Sequence, residues 1–262
     1  MVDAHVHIYD CYDLETFFTH ALANLDLYHG KLYPRGGRYE KILLLTEGKK
    51  NNFFKRFKQE GGFTNKAGFH FLETKEDMSL ILARENEPLC FLLKGRQIVT
   101  RENLEVLLVA SDREMEDGLP IDTVVQQIMD NNDMAVVAWG FGKWFFKRGK
   151  IIRQVIQTYG RPGLFVGDNS GRPVFWPTPP QFIQAQAKNL PILNGSDPLP
   201  FPGEEQKPGS YGFSVSGPFD RGEPAGSLWK LLMMPDTIIE SFGRRDSAAA
   251  FLKRQIKIRL KK

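Results

Sequence analysis

Short apolar runs alternate with amphipathic segments along most of the chain. Such alternation is typical of parallel strands covered by helices, so we predict an α/β fold. With about seven units, the expected architecture is a (β/α) TIM-like barrel of seven or eight parallel strands. The strand-like runs lie at 3–8, 39–47, 104–111, 134–142, 163–169 and 191–197. Segments with apolar residues at helical spacing lie at 14–25, 51–61, 120–133, 150–160 and 178–190.

Several residues mark where the predicted helices begin and end. Asp13 and Thr178 are placed to cap helix N-termini, and Gly61 is placed to end a helix. Three further elements are expected toward the C-terminus: a strand over 210–217 and helices near 225–242 and 246–260.

One segment, 68–103, breaks the alternation of strands and helices. It holds four short strand-like runs, and Lys94–Gly95 between the last two predicts a hairpin. We therefore expect a small β-rich subregion inserted near 68–103. The prediction for the whole chain is a single TIM-like barrel domain over 1–262, with a basic C-terminal helix at 244–262.

Composition and charge narrow the class of protein. Hydrophobic residues make up 42% and charged residues 25%, as in ordinary globular proteins. No apolar run is long enough to span a bilayer and no signal peptide is visible, so a cytoplasmic location is expected. The net charge of +4 is uneven, because 244–262 carries +7 and the rest of the chain −3. A mildly acidic body argues against nucleic acid as a partner and leaves a small-molecule substrate.

Polar residues gather at the ends of the predicted strands, where a (β/α) barrel builds its reactive face. His5 and His7 are two positions apart in the first strand, so their side chains share one face with that of Asp3. Paired imidazoles on one face either hold a metal ion or pack as ordinary polar residues. The other strand ends carry Glu47, Ser111–Asp112, Trp139–Lys143, Asp168–Asn169, Asp197 and Ser214–Asp220.

The motif D-A-H-V-H near the N-terminus, together with I-L-N-G-S-D-P late in the chain, resembles the amidohydrolase superfamily. The resemblance implies that His5 and His7 bind a divalent metal, and that Asp197 binds it and handles the proton of the attacking water. The stretch G-S-D-P-L-P-F-P-G-E-E is also similar to amidohydrolase-like proteins associated with exosortase systems.

The chain departs from the superfamily pattern in its histidines. The superfamily usually has two more histidine ligands on later strands, whereas all five histidines here lie within the first 70 residues. Asp168 and Glu47 are the candidates to complete the metal shell, Asp168 being the better one because it ends a predicted strand.

These observations lead to the hypothesis of a metal-dependent hydrolase that cleaves an amide, ester or related bond of a small molecule. Zinc is the expected metal, with manganese or another divalent ion as the alternative, and it would lower the pKa of water to ~7. Lys143 or Arg172 would bind an anionic substrate group, and Trp139 would line the pocket. A carbon–carbon lyase on the same scaffold is not separated from a hydrolase by sequence.

Two alternatives remain open at this stage. The absence of the later histidines also fits a degenerate barrel without catalytic metal that serves as a binding or accessory protein. The C-terminal helix either touches an anionic membrane or a partner, or packs its apolar residues on the barrel. Those apolar residues are Phe251, Leu252, Ile256 and Leu260.

Overall fold

The computed structural model describes residues 1–160 and 162–260. The strands are β1 (Val2–Val6), β2 (Ile42–Leu45), β3 (Phe69–Glu73), β4 (Ser79–Arg84), β5 (Glu87–Leu93), β6 (Gly95–Val99), β7 (Glu105–Val109), β8 (Met134–Ala138), β9 (Leu164–Asn169), β10 (Ile192–Gly195), β11 (Tyr211–Val215) and β12 (Ile239–Gly243). The helices are α1 (Leu14–Leu32), α2 (Phe53–Glu60), α3 (Ile121–Asp130), α4 (Phe146–Thr158), α5 (Pro180–Ala187), α6 (Pro224–Met233) and α7 (Ala248–Leu260), with a short 3-10 helix at Glu204–Gln206.

The strands form two mixed sheets, so the predicted TIM-like barrel of parallel strands is wrong. One sheet has the order β12-β11-β1-β2-β5-β4-β3 and the other the order β10-β9-β8-β7-β6. Only β1-β2-β5 and β8-β9-β10 are parallel sets, and the remaining neighbours within each sheet are antiparallel. A strand buried on both faces is apolar along its whole length, whether it runs parallel or antiparallel to its neighbours. The hydrophobic pattern therefore does not show the direction of a strand.

The β-rich segment near 68–103 contributes to both sheets. The predicted hairpin at Lys94–Gly95 is wrong, because β5 pairs with β2 and β4 in the first sheet while β6 pairs with β7 in the second. The hairpin lies instead between β4 and β5, at Glu85–Asn86, where φ is 49° and 66°. Two successive positive φ values are those of a type I′ turn, which suits the twist of paired strands.

Helix ends follow the sequence signals in part. The carboxylate of Asp13 accepts a hydrogen bond from the Thr16 amide at 2.7 Å, and Gly61 ends α2 with φ of 65°. Thr178 does not cap α5, which follows Pro179 and has no side-chain cap. The helix predicted near 225–242 is wrong in its second half, where β12 pairs with β11 instead.

Three groups of buried side chains hold these layers together. One lies between the second sheet and α3, α4 and α5, and another between the first sheet and α1 and α2. The third fills the space between the two sheets, with Val2, Leu44, Leu107, Val136 and Phe213 among its members. The architecture is therefore an α/β sandwich, in which the strands carry apolar side chains on both faces.

The C-terminal helix buries only part of its apolar side. Phe251 and Arg254 are its buried residues, whereas Leu252, Ile256 and Leu260 are exposed. Packing on the body, one of the two alternatives for this helix, therefore holds for Phe251 and not for the other three apolar residues. Lys261 and Lys262, at the end of the predicted segment, lie outside the described residues. No helix of the described part of the chain is long and apolar enough to cross a membrane.

Candidate metal centre

The first strand delivers two histidines to one point. Ala4 and Val6 of β1 are buried in the core, and His5 and His7 alternate with them. Both imidazoles are buried, and their Nε2 atoms lie 2.9 Å apart, with the rings edge to face. The same-face geometry expected from the spacing therefore brings both Nε2 atoms to the same place.

Asp197 joins this pair from the end of β10. Its amide donates to the His5 carbonyl at 2.8 Å, and its backbone has φ of 47°, a left-handed conformation unusual for aspartate. The approach is close because position 195 is glycine. A Cβ on Gly195 would lie 2.4 Å from the His5 amide nitrogen, so a side chain there would separate β10 from β1.

The three side chains present a triangle of ligand atoms. Oδ1 of Asp197 is 3.6 Å from Nε2 of His5 and 3.6 Å from Nε2 of His7. A triangle with sides of 2.9, 3.6 and 3.6 Å has a centre about 2.0 Å from every corner. Zinc binds histidine nitrogen at about 2.0–2.1 Å and carboxylate oxygen at about 2.0–2.2 Å. The residues therefore fit a divalent ion, and the group could hold one.

The protonation states also suit a metal. Burial, and next the proximity of His5, lowers the pKa of His7 to about 4, so His7 is neutral at neutral pH. Burial opposes ionisation of Asp197, but the electrostatic influence of His5, His7, Arg254 and Lys143 outweighs it and holds the pKa of this carboxyl below its usual range. A neutral imidazole and an ionised carboxylate are the forms that ligate metal.

Two amide side chains support the triangle from outside. Asn169, at the end of β9, donates to Oδ2 of Asp197 at 2.8 Å and to the Trp139 carbonyl at 2.9 Å. Oε1 of Gln97, on β6, lies 3.2 Å from Nε2 of His5. Sequence reasoning noted Asn169 only as the neighbour of Asp168 and did not select Gln97, since an amide in a strand carries no signal by itself.

Asp3 has a structural place beside the triangle. Its carboxylate accepts three backbone hydrogen bonds, from His5 at 3.2 Å, Ser196 at 2.8 Å and Gly209 at 2.7 Å. Burial raises the pKa of Asp3 to about 6 despite these bonds. The side chain thus fastens β1 to the segment that carries Asp197.

The structure does not bring Asp168 to the triangle. Its carboxylate accepts two hydrogen bonds from Arg172, at 2.8 and 2.5 Å, and one from the Tyr211 hydroxyl at 2.9 Å. Adjacent residues of a strand face opposite sides, so Asn169 points toward the histidines and Asp168 away from them. Arg172, proposed as an anion-binding residue, is held in this ion pair above the Phe182 ring.

Glu47 is also occupied elsewhere. Its carboxylate accepts a hydrogen bond from the Phe54 amide at 3.1 Å, at the N-terminus of α2. Burial raises the pKa of Glu47. The group of metal-ligating side chains among the described residues contains His5, His7 and Asp197 and does not include Glu47.

A cavity of 720 Å³ opens over the triangle. Trp139 lines it, and so does Lys143, which forms an ion pair with Glu105 across the cavity wall. Much of the remaining wall is aromatic or aliphatic. These side chains are Tyr9, Phe141, Leu199, Pro200, Phe201 and Ile258.

Arg254 enters this cavity from α7. It is buried, donates to the Asp197 carbonyl at 3.1 Å and pairs with Glu204 at 2.8 Å. Arg259 of the same helix lines the cavity too. Sequence reasoning placed the whole basic segment outside the site, and only the packing of α7 shows otherwise.

Comparisons with known proteins give a fold likeness and no family. No family model matches the chain, and no curated protein matches it. The structure of PsfC from Pseudomonas syringae PB-5123 is similar with a TM-score of 0.57 at 12% identity, covering 98% of this chain and 96% of that one. A structure of endonuclease Q with a 27-mer duplex substrate that has an abasic lesion at the active site reaches a TM-score of 0.45 at 11% identity, covering 88% of this chain and 55% of that one.

These findings correct two predictions. The assignment to the amidohydrolase superfamily, with its exosortase-associated relatives, is wrong, because the fold is similar to that of PsfC over almost the full length and the sheets form no closed barrel in the described residues. The exclusion of nucleic acid is also wrong as a general statement, because it rested on the acidic body, whereas basic Lys143, Arg254 and Arg259 line the cavity. At these identities the likeness concerns the fold alone.

Proposed function

We propose that the chain is a metal-dependent hydrolase whose ion, zinc in the first instance, is held by His5, His7 and Asp197. The observation that carries the proposal is the triangle of ligand atoms, with a centre about 2.0 Å from each atom, at the floor of an open cavity. Three protein ligands and an accessible fourth position are the arrangement of catalytic rather than structural zinc sites.

The surrounding residues suggest how the reaction proceeds. A zinc ion in the triangle would supply Lewis acidity and lower the pKa of a water to about 7. Asp197, ionised and fixed by Asn169, is placed to orient that water and to take up its proton. Arg254, buried beside Asp197, contributes positive charge where negative charge develops.

The cavity chemistry indicates a phosphate ester with an apolar body as the substrate class. Lys143, Arg254 and Arg259 line the cavity against the acidic Glu105 and Asp197, and a divalent ion would add two further positive charges. A phosphoryl group carries negative charge on the oxygens bound to the reacting phosphorus, whereas an amide group is neutral. The aromatic wall formed by Tyr9, Trp139, Phe141 and Phe201 suits an apolar leaving group. Water would attack phosphorus, the ester P–O bond would break, and the leaving oxygen would take a proton.

The first experiment measures metal content and hydrolysis together. Protein purified without chelator or histidine tag is analysed by plasma mass spectrometry, then assayed with p-nitrophenyl phosphate and p-nitrophenyl acetate. We expect about one ion per chain and turnover of the phosphate ester. The double variant His5→Ala/His7→Ala should lose both, whereas His70→Ala, which removes a histidine of β3 outside the triangle, should lose neither.

Two outcomes would contradict the proposal. Protein that stays metal-free after incubation with zinc or manganese would leave the binding or accessory role as the better hypothesis. If the protein binds metal and hydrolyses the acetate ester but not the phosphate ester, the proposal of a hydrolase stands. The proposal of phosphate esters as the substrate class is then wrong.

A further inference from the structure

One face of the molecule concentrates exposed apolar side chains, and we call it the aromatic–basic face. It consists of the segment from Phe141 to Phe146 (the first residue of α4), the loop after β9 (Val174–Trp176) and the outer side of α7. Phe141, Phe146, Val174, Phe175, Leu252, Ile256 and Leu260 are the large hydrophobic residues exposed there. They are seven of the eleven such residues recorded in the described part of the chain, so the exposure is not scattered.

The rings of the two loops and of α7 form one continuous patch. Phe141 lies 4.8 Å from Phe251 and 5.4 Å from Trp176, and Phe145 stacks on Trp176 at 5.6 Å. Phe175 lies 6.2 Å from Phe251, measured between ring centroids. These contacts fix the orientation of both loops against α7, while Phe141 and Phe175 remain exposed.

Phe146 has no role in the core that would explain its position. Its side chain is 92% exposed, and its backbone has φ of 52°, a conformation unfavourable for a bulky residue. Strained backbone that holds a large apolar side chain in water is costly in the isolated molecule. An external partner that buries the ring would account for both features.

The charge of this face has one sign. The segments 139–150, 170–177 and 247–260 contain no aspartate or glutamate. Their exposed or partly exposed basic residues include Lys147, Arg148, Lys150, Lys253, Lys257 and Arg259. On α7, Leu252 and Ile256 lie one turn apart on the exposed side. Lys253 and Arg259 flank this apolar stripe around the helix.

We propose that the aromatic–basic face docks on an anionic lipid bilayer without spanning it. Phenylalanine and leucine side chains would enter the boundary between headgroups and acyl chains, and the surrounding lysines and arginines would meet anionic headgroups. Long basic side chains reach headgroups while their aliphatic parts cover apolar surface. A protein partner would need an acidic rim around a matching apolar centre, whereas an anionic bilayer presents both properties everywhere on its surface.

The position of the cavity gives this docking a consequence. Phe141, Ile258 and Arg259 belong both to the cavity wall and to the region around the aromatic–basic face. The cavity therefore opens next to the docked surface, and an amphipathic molecule could pass from the bilayer into it. The docking itself does not depend on the proposed hydrolysis and is tested without any substrate.

Sedimentation with vesicles tests the proposal. The purified full chain is mixed with vesicles of phosphatidylcholine alone or of phosphatidylcholine with phosphatidylglycerol, at low and at high salt. We expect co-sedimentation with the anionic vesicles that weakens with salt, and little with the neutral ones. The variant Phe146→Ala/Phe175→Ala should lower the apparent affinity about tenfold or more, because two inserted rings are lost.

Matched variants distinguish docking through this face from nonspecific hydrophobic adsorption to vesicles. Ile238→Ala removes an equally exposed apolar side chain next to Met234, outside this face, and should leave vesicle binding unchanged. Lys147→Glu/Lys253→Glu should abolish binding to anionic vesicles and leave the fold intact, because both lysines are exposed. Circular dichroism and urea unfolding of each variant verify the fold.

Three results would overturn the proposal. One is an absence of binding to the anionic vesicles at low salt. Another is binding that the Phe146→Ala/Phe175→Ala variant leaves unchanged. The third is a concentration-dependent dimer in solution that the same variant dissociates, with no vesicle binding, since a second copy of the chain would then be what covers the face.

Discussion

Two polar clusters meet at the end of β9, and they differ in how completely their groups are paired. On one side of the strand, Asp168 accepts hydrogen bonds from Arg172 and Tyr211, and opposite charges are matched. On the other side, the histidine pair and Asp197 turn their acceptor atoms toward one shared point beneath a cavity. The first cluster is complete without a ligand, whereas the second leaves two imidazole nitrogens and Oδ1 of Asp197 around a space that fits an ion.

The comparison separates a structural polar cluster from a functional one. Both are buried and both contain a carboxylate at the end of a parallel strand, so burial and position alone do not distinguish them. What distinguishes the two clusters is the number of partners that each carboxylate has inside the protein. A buried carboxylate with a bidentate arginine has its charge compensated by the fold. A neutral imidazole that holds its proton on Nδ1 leaves the lone pair of Nε2 for an ion, and both Nε2 atoms face the same point.

The largest expected effect is on stability and comes from breaking the paired cluster. Asp168→Ala removes the partner of a buried guanidinium and should lower the free energy of unfolding by about 3–5 kcal/mol. Urea unfolding measures it. The double variant Asp168→Leu/Arg172→Met should recover most of the loss, because no uncompensated charge remains in the interior. A double variant as unstable as the single one would show that the cluster contributes more than charge compensation.

The next effect concerns the support of the metal ligand. Asn169→Ala removes the hydrogen bond to Oδ2 of Asp197 and should weaken metal affinity by roughly 10–100-fold. Competition with a chromophoric chelator gives the affinity. Asn194→Ala is the matched control, because Asn194 is a buried asparagine that lines a separate cavity beside Asp168 and Arg172. Equal losses of metal affinity in both variants would show that Asn169 does not specifically support the metal ligand Asp197.

The smallest effect tests a residue that the sequence placed in the site. Glu47→Ala removes an acceptor at the N-terminus of α2 and should cost about 1 kcal/mol of unfolding free energy. Metal affinity should stay within about twofold of the parent, since Glu47 lies outside the triangle. Thermal unfolding and the chelator competition are run on the same preparation. A loss of metal comparable to that of Asn169→Ala would return Glu47 to the ligand set.

The sequence predicts those parts of the candidate site that depend on local strand geometry. The two-residue spacing of His5 and His7 fixes a shared face in any strand, and a polar residue directly after a strand points from its end. Asp168 was the natural choice for a further ligand because it stands in the same kind of position as Asp197. A shift of one residue reverses the face, and nothing in G-L-F-V-G-D-N shows which of the last two residues turns toward the histidines.

The residues that sequence reasoning missed come from distant parts of the chain. Gln97 reaches His5 from β6, and Arg254 reaches the carbonyl of Asp197 from the last helix. Neither residue belongs to a motif, and each arrives because separate elements pack at the same end of the sheets. Such contacts depend on topology, which the alternation of apolar runs and helices leaves open.

The sequence by itself determined most of the elements, the α/β class and the shared face of His5 and His7, because periodicity and strand geometry act over a few residues. The link from Asp197 to this pair came from a family resemblance and not from local geometry. Only the tertiary structure decided that the strands form two mixed sheets, that Asp168 is paired with Arg172, and that α7 leaves an apolar stripe in solvent. The physical reason is that strand polarity, register and helix docking are chosen by the burial of surfaces far apart in the chain. An apolar residue in the sequence indicates that its side chain prefers burial, but it does not indicate which surface will bury it.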